Sequence, residues 1–303
     1  MEKKKESIMK PLEEMNLIDD FLFTEVMTDE ENGQKACRII LETVLKRKLG
    51  EIRFEYQKVI PGVSESSHGI RLDTFIRELT DDGDNSIPGI SIYDIEPDKR
   101  SAKKDSLPKR ARYYGDLMDV QLLKKNTGYE MLPEQVTIFI LSYDPFGKDA
   151  MYYEAETMLI THPDVSYNDG VRRIFLYADG KLPEESTEDD RKIQKLLKYI
   201  ARSTDDNISD ESTGELDRIV RNTKSKKDIG IKYMKSWERE RELLEEGRRE
   251  GREEGREEGR REGREEEHEK YEAERRRADE AEKRADLIDE KLAKYIAKYG
   301  DII

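Results

Sequence analysis

The chain has little of the chemistry that builds disulfide frameworks or zinc sites. Cys37 is the only cysteine among 303 residues, so no disulfide can form within the chain. It lies in the apolar run of residues 37–41, which predicts a small core residue. The three histidines, His68, His162 and His268, are far apart in sequence and none is at metal-ligand spacing from another. A zinc site is therefore not predicted.

Long hydrophobic runs are also missing. No stretch of 18 apolar residues occurs, and the first 15 residues, MEKKKESIMKPLEEM, lack the apolar region of a signal peptide. The sequence therefore predicts a chain with no membrane partner and a cytoplasmic location.

An excess of positive charge is missing as well. The chain has 56 lysines and arginines against 70 aspartates and glutamates, a formal net charge of −14. A protein that binds nucleic-acid phosphates normally presents a basic surface, which here must be local. The best candidate is the segment 99–112, which contains seven basic residues and one acid. The alternative is an exposed segment that merely balances an acidic protein.

Three carboxylates dominate what is present: Asp73, Glu96 and Asp98. The segments 69–79 and 87–96 are rich in β-branched and apolar residues, and the turn formers of residues 80–86 lie between them. This pattern predicts strand, loop, strand. Residues 73 and 96 are equidistant from a point between residues 84 and 85, within that loop, so a hairpin symmetric about this point places them opposite each other.

Facing carboxylates repel one another across a hairpin unless a cation neutralises them. Hard oxygen ligands favour Mg²⁺ or Mn²⁺, with Asp73 and Glu96 as the metal ligands. Asp98, two residues after Glu96, projects from the same strand face. The alternative is a solvated hairpin whose acids face water, and a two-residue slip in register would separate the pair.

Further runs surround the hairpin in a characteristic order. They are DDFLF at 19–23, YDIEPD at 93–98, LPKRARYY at 107–114, GY at 128–129, VTIFIL at 136–141 and YDPFG at 143–147. In this order and at these intervals the chain resembles the PD-(D/E)XK nuclease family transposases, also called recombination-promoting nucleases. The resemblance covers roughly residues 15 to 250. It includes the glutamate- and arginine-rich tail that many of these proteins carry.

The resemblance implies an α/β fold with a restriction-endonuclease-like core, a mixed sheet flanked by helices, that hydrolyses DNA phosphodiester bonds with Mg²⁺ or Mn²⁺. Asp73 matches the first catalytic acid of the family and Glu96 the second. The third position is usually glutamine or lysine, and here it is Asp98. Asp98 would therefore be either a further metal ligand or the mark of a weakened or lost activity.

Two functions remain open at this point. In the first, the protein is a metal-dependent DNA endonuclease with Asp73, Glu96 and Asp98 at its catalytic centre and with DNA phosphates held by Lys109, Arg110 and Arg112. In the second, the protein is a catalytically degenerate member of the nuclease fold that binds DNA or protein partners through its tail.

The apolar periodicity predicts the remaining elements. Helices are expected at 11–27, 33–46, 106–125, 189–202 and 211–221. Strands are expected at 52–60, 135–143, 151–160 and 173–178. The run 135–143 is apolar almost throughout, which predicts burial on both faces of the sheet.

The predicted domain organisation is a nuclease-like domain at 1–228 and a charged helical tail at 229–303. Glycine recurs every fourth residue from Gly247 to Gly263, and each glycine weakens a helix by roughly 1 kcal/mol. An apolar stripe near the end of the tail consists of Leu287, Ile288, Leu292, Tyr295 and Ile296. This stripe predicts a homo-oligomer, formed as a coiled coil through the tail. The alternative is a solvated, partly frayed extension.

Overall fold

The computed structural model describes residues 9–60, 70–80 and 89–300. Within these ranges some side chains, that of Asp73 among them, are outside the description. The predicted loop at 80–86 lies largely outside the described residues, as does His68. The chain divides into two compact units, Met1–Met234 and Lys235–Ile303.

The elements of the chain follow the predicted order closely. The helices are α1 (Asp20–Met27), α2 (Gly33–Leu45), α3 (Leu107–Leu122), α4 (Glu188–Ala201), α5 (Glu211–Ser225) and α6 (Lys227–Tyr299). The strands are β1 (Glu51–Ile60), β2 (Ile70–Thr80), β3 (Gly89–Asp98), β4 (Glu134–Leu141), β5 (Tyr152–Glu156) and β6 (Val171–Tyr177). β5 is shorter than the predicted strand at 151–160, and Ile160 is almost fully exposed.

The six strands form one mixed sheet in the order β1-β2-β3-β4-β6-β5. β2 is antiparallel to both of its neighbours, β1 and β3; β3, β4 and β6 are parallel; and β5 is antiparallel to β6. Two adjacent parallel strands require a crossover, which α3 supplies between β3 and β4. The prediction of an α/β fold with a mixed sheet flanked by helices is therefore confirmed.

The β2–β3 pair has the register that the sequence predicted. Described pairs run from Thr80↔Gly89 to Phe75↔Asp94, and the two residue numbers of each pair sum to 169, as do 73 and 96. Beyond the last pair, the hydroxyl of Thr74 accepts a hydrogen bond from the Ile95 N–H at 3.0 Å and donates one to the Ile95 carbonyl at 3.2 Å. A side chain thus continues the contact between the two strands.

Apolar residues cover both faces of the sheet. α3 packs on one face, where Leu107 and Ala111 contact Phe139 and Phe175 in one cluster, and Leu117 joins a second cluster. The other face is covered by residues of α1, α2, α4, α5 and the first turns of α6, which together form the largest core cluster. β4 is buried from its second residue to its last, so its predicted burial is confirmed.

The predicted helix at 11–27 is wrong in its first half. The structure has a 3₁₀ turn at Leu12–Glu14 and an extended Met15, and α1 begins only after Asp19. The backbone N–H of Leu17 donates to the hydroxyl of Ser203, and that of Ile18 to the carbonyl of Ile200. Because these donors are used by the end of α4, the segment 15–19 cannot form the hydrogen bonds of a helix.

The second unit contains the rest of α6, which is helical to Tyr299 and almost wholly exposed. The five apolar residues of the predicted stripe are between 41% and 63% exposed. None of the helices in the described part of the chain has the length and apolar character that a bilayer span requires.

Candidate functional site

Three acids project from one face of β3 toward its carboxyl end. Asp94, Glu96 and Asp98 alternate along the strand with Tyr93 and Ile95, which point into the core on the opposite face. The three acids are at most 5% exposed. Carboxylates at such depth are costly unless cations or hydrogen-bond donors surround them.

Arginines supply this compensation at Asp98. Its Oδ1 accepts hydrogen bonds from the backbone N–H of Arg100 at 2.8 Å and from the Arg100 Nε at 3.0 Å. Its Oδ2 accepts one from the Nη2 of Arg110. Burial alone would raise the pKa of Asp98, but the hydrogen bonds from Arg100 and Arg110 outweigh it and lower the pKa. Asp98 is therefore a carboxylate at neutral pH.

Arg110 reaches the strand from α3. It lies in the first turn of that helix, and its side chain is only 18% exposed. Its guanidinium carbon is 5.2 Å from the centroid of the Phe139 ring, a cation–π contact. The Nε of Arg110 is buried and has no hydrogen-bond partner among the described residues. The cation is therefore held between the sheet and the helix with donor capacity to spare.

Two tyrosines border the same cluster. Burial raises the pKa of Tyr114 to about 12, and the nearby Glu96 carboxylate adds to this effect. Burial also raises the pKa of Tyr143 to about 12, again with a contribution from a carboxylate, that of Asp98, whose Oδ2 is 3.5 Å from the hydroxyl. Both phenols are neutral at pH 7 and can donate hydrogen bonds.

The start of α1 brings a fourth acid to this end of β3. Partial burial raises the pKa of Asp20; the charge of Asp98 raises it further and that of Arg100 opposes the rise. The neighbouring Asp19 pairs with Lys10 and Lys99. Lys99, the residue after Asp98, is thus tied to α1.

The predicted metal ligands can be compared with the structure only in part. Position 73 lies in β2 and Glu96 in β3, on adjacent antiparallel strands, as predicted. The side chain of Asp73 is outside the described residues. Among the residues that the structure does describe, no group of three or more acids, histidines or cysteines is arranged to hold a metal. Mg²⁺ needs only one or two protein carboxylates besides water and substrate phosphate, so Glu96 with one partner acid would suit it.

The three predicted phosphate ligands do not share one surface. Arg110 points toward Asp98, whereas Lys109 and Arg112 are exposed on the outer side of α3. Lys109 and Arg112 are three residues apart and so lie on one helix face. Of the three predicted phosphate ligands, Lys109 and Arg112 are therefore the two that lie on an exposed surface, which is part of the basic segment 99–112.

Comparison of this chain with protein-family models, with curated proteins and with solved structures finds no match.

Several members of the cluster were not predicted from their own signals. Tyr114 reads as a core residue at helical spacing, and Tyr143 begins the run YDPFG, but neither was assigned a role in the site. Asp20 and Arg100 are ordinary charged residues in a chain that is 42% charged. Only the position of Tyr143, immediately beyond the carboxyl end of a buried parallel strand, is a signal that could have been used.

Proposed function

We propose that this protein is a metal-dependent DNA endonuclease of the PD-(D/E)XK transposase type, with a restriction-endonuclease-like core. The observation that supports the proposal is the β2–β3 pairing, whose described pairs, from Thr80↔Gly89 to Phe75↔Asp94, have the register that a hairpin joining positions 73 and 96 requires. The resemblance assigns the two catalytic acids to these positions. Glu96 is buried at the carboxyl end of a strand in an open α/β sheet, where such folds bind ligands, and two residues later Asp98 pairs with Arg110.

The residues of the site have separable roles in this proposal. Asp73 and Glu96 would hold the divalent cation. When bound, Mg²⁺ or Mn²⁺ would polarise the phosphoryl oxygen and increase the acidity of a coordinated water. Arg110 would contact phosphate, and Tyr114 and Tyr143, neutral at pH 7, would donate hydrogen bonds beside it. Lys109 and Arg112 would hold DNA phosphates farther from the reaction.

One observation favours the second candidate, a catalytically degenerate nuclease fold. The position that carries lysine or glutamine in the family carries Asp98, and its carboxylate is already paired with two arginines. Such a pair can also be purely structural. The protein would then bind DNA or a protein partner without cutting.

Cleavage of supercoiled and linear DNA with Mg²⁺ or Mn²⁺ separates the two candidates. We expect Glu96→Gln and Asp73→Asn each to reduce nicking by roughly 10³-fold or more. The double variant should be no worse, because both acids serve one cation. Glu51→Gln, which changes an exposed glutamate on β1, is the matched control and should keep full activity. Wild-type protein that neither binds Mn²⁺ in calorimetry nor nicks DNA would exclude the endonuclease.

We also propose that the tail mediates assembly of the protein. Its exposed apolar stripe would pair with that of a second copy and contribute nothing to the chemical step.

A further inference from the structure

The Asp98–Arg110 pair stands where the family pattern has a single lysine or glutamine. A lysine there would bring positive charge to the scissile phosphate, whereas an isolated aspartate would repel it. In this chain the aspartate is not isolated. Its nearest described cations are the guanidinium groups of Arg100 and Arg110, one from its own strand end and one from α3. The inference below rests on the proposed endonuclease function.

The surroundings of Asp98 differ from those of a metal ligand. Both carboxylate oxygens accept hydrogen bonds from arginines, and Oδ2 also lies 3.5 Å from the Tyr143 hydroxyl. A divalent cation at this carboxylate would have to displace these donors and would lie next to two positive charges.

Arg110, in contrast to Asp98, is fixed in position and still has N–H donors that its neighbours do not engage. Asp98 engages its Nη2, and the Phe139 ring lies against its guanidinium plane. A guanidinium has five N–H donors in a planar fork that matches phosphate oxygens. The side chain of Arg110 is 18% exposed, so guanidinium N–H groups that Asp98 does not engage can reach the oxygens of a phosphodiester, whereas the buried Nε cannot.

We propose that Arg110 contacts the scissile phosphate and that Asp98 is its positioning residue and not a metal ligand. The cation that the family places on the strand is here supplied from α3, and Asp98 sets its direction. Arg100 binds the other carboxylate oxygen, Oδ1, through its backbone N–H and its Nε, and so fixes the orientation of the carboxylate.

In this proposal Asp98 acts through Arg110. A double-variant cycle tests this, because it measures how far the effects of the two substitutions on kcat depend on each other. In full-length protein we expect Arg110→Gln to lower kcat for plasmid nicking by about 100-fold, the effect of removing one donor to a developing negative charge. Asp98→Asn should lower kcat by about 10-fold while the Kd for Mn²⁺ in calorimetry stays within about 3-fold of wild type. The double variant should match Arg110→Gln alone. Arg110→Lys, which retains the charge, should keep more activity than Arg110→Gln.

The variant Asp98→Lys distinguishes most clearly between a positioning residue and a degenerate remnant. If Asp98 were a degenerate remnant, this change would restore the family pattern and raise activity. Because a lysine would repel Arg110 and Arg100, we expect activity to fall by at least 10-fold, with Mn²⁺ binding retained. Arg191→Gln, on the helix layer across the sheet, removes an exposed guanidinium as a control and should leave kcat unchanged. Thermal unfolding of each variant shows that it is folded.

Three results would overturn the inference while leaving the endonuclease in place. They are a loss of Mn²⁺ affinity of 10-fold or more in Asp98→Asn, an additive double variant, and an active Asp98→Lys. Wild-type protein without cleavage or Mn²⁺ binding would instead remove the endonuclease and this inference together.

Discussion

At the scale of single residues, Glu78 shows how this fold keeps a charge deep in its sheet. The side chain is 1% exposed and lies on the face opposite the candidate site. Arg47 binds both carboxylate oxygens, at 2.9 and 2.7 Å, and the Tyr93 hydroxyl and the Gly50 N–H donate to them as well. Burial alone would raise the pKa of Glu78, but these donors outweigh it and lower the pKa. The network joins the α2–β1 connection to the central hairpin.

We expect Glu78→Gln to reduce the free energy of unfolding at pH 7 by about 2 to 3 kcal/mol, because the buried side chain loses its charge-assisted hydrogen bonds from Arg47. Glu51→Gln, which disturbs the exposed Glu51–Arg53 pair, should cost less than about 0.5 kcal/mol. Urea unfolding of both variants tests the difference. Equal losses would contradict the assigned role of the buried network.

The pH dependence of this contribution has a definite sign. The pKa of Glu78 is lower in the folded protein than in the unfolded chain, so its stabilisation is complete above the unfolded value near 4.3 and declines as the pH falls below it. The difference between wild type and Glu78→Gln should therefore shrink in unfolding curves recorded below about pH 4. A difference that grows on acidification would contradict the lowered pKa.

At the scale of elements, the tail helix has the spacing of a coiled coil near its end. Ala278, Ala281, Ala285, Ile288, Leu292 and Tyr295 recur at alternating intervals of three and four residues. Ile288 and Leu292 are 63% and 55% exposed. This spacing places one apolar seam along the helix, which a second helix of the same kind would cover. The glycine repeat before it lowers helix stability, so association would also support the helix.

Deleting residues 236–303 should lower the oligomeric state in analytical ultracentrifugation. Ile288→Asp with Leu292→Asp should do the same, because charges in the seam oppose pairing. Ala293→Asp with Ala297→Asp adds the same charge on the opposite side of the helix and should leave association intact. If all of these proteins sediment as one species, the tail does not mediate self-association.

At the scale of the whole molecule, the proposed DNA binding would use only a small part of the surface, because the protein is acidic. The net charge of −14 opposes association, and the exposed cations Lys109 and Arg112 lie on α3, the helix that covers the site. The number of phosphate contacts determines how strongly DNA affinity depends on salt concentration.

We expect the double variant Lys109→Gln with Arg112→Gln to bind duplex DNA more weakly and to reduce the slope of log affinity against log salt by about 2. Fluorescence anisotropy between 50 and 200 mM KCl, concentrations over which such effects are large, measures both quantities. Arg191→Gln with Lys192→Gln removes two exposed cations from α4 and should change neither. Identical slopes for the two double variants would argue against α3 as the DNA-binding surface.

Much of the architecture could be predicted because its signals are local. The turn formers at 80–86 and their flanking apolar segments predicted the β2–β3 hairpin and its register, and the unbroken apolar run of β4 predicted a strand buried on both faces. Helical periodicity predicted α2 to within one residue and α4 and α5 to within one residue at their starts. In each case the decisive pattern lies within about 25 residues, and strand or helix geometry converts it directly into structure.

The tertiary structure alone decided the partners of the candidate site. Residues 15–19 read as helix but use their donors on α4, nearly 190 residues away in sequence. Asp98 reads as a departure from the family pattern, and only the packing of α3 on the sheet pairs it with Arg110. Periodicity says which face a side chain occupies. Which charged group of another element packs against that face depends on how the separate elements pack together. This packing is a property of the folded chain as a whole.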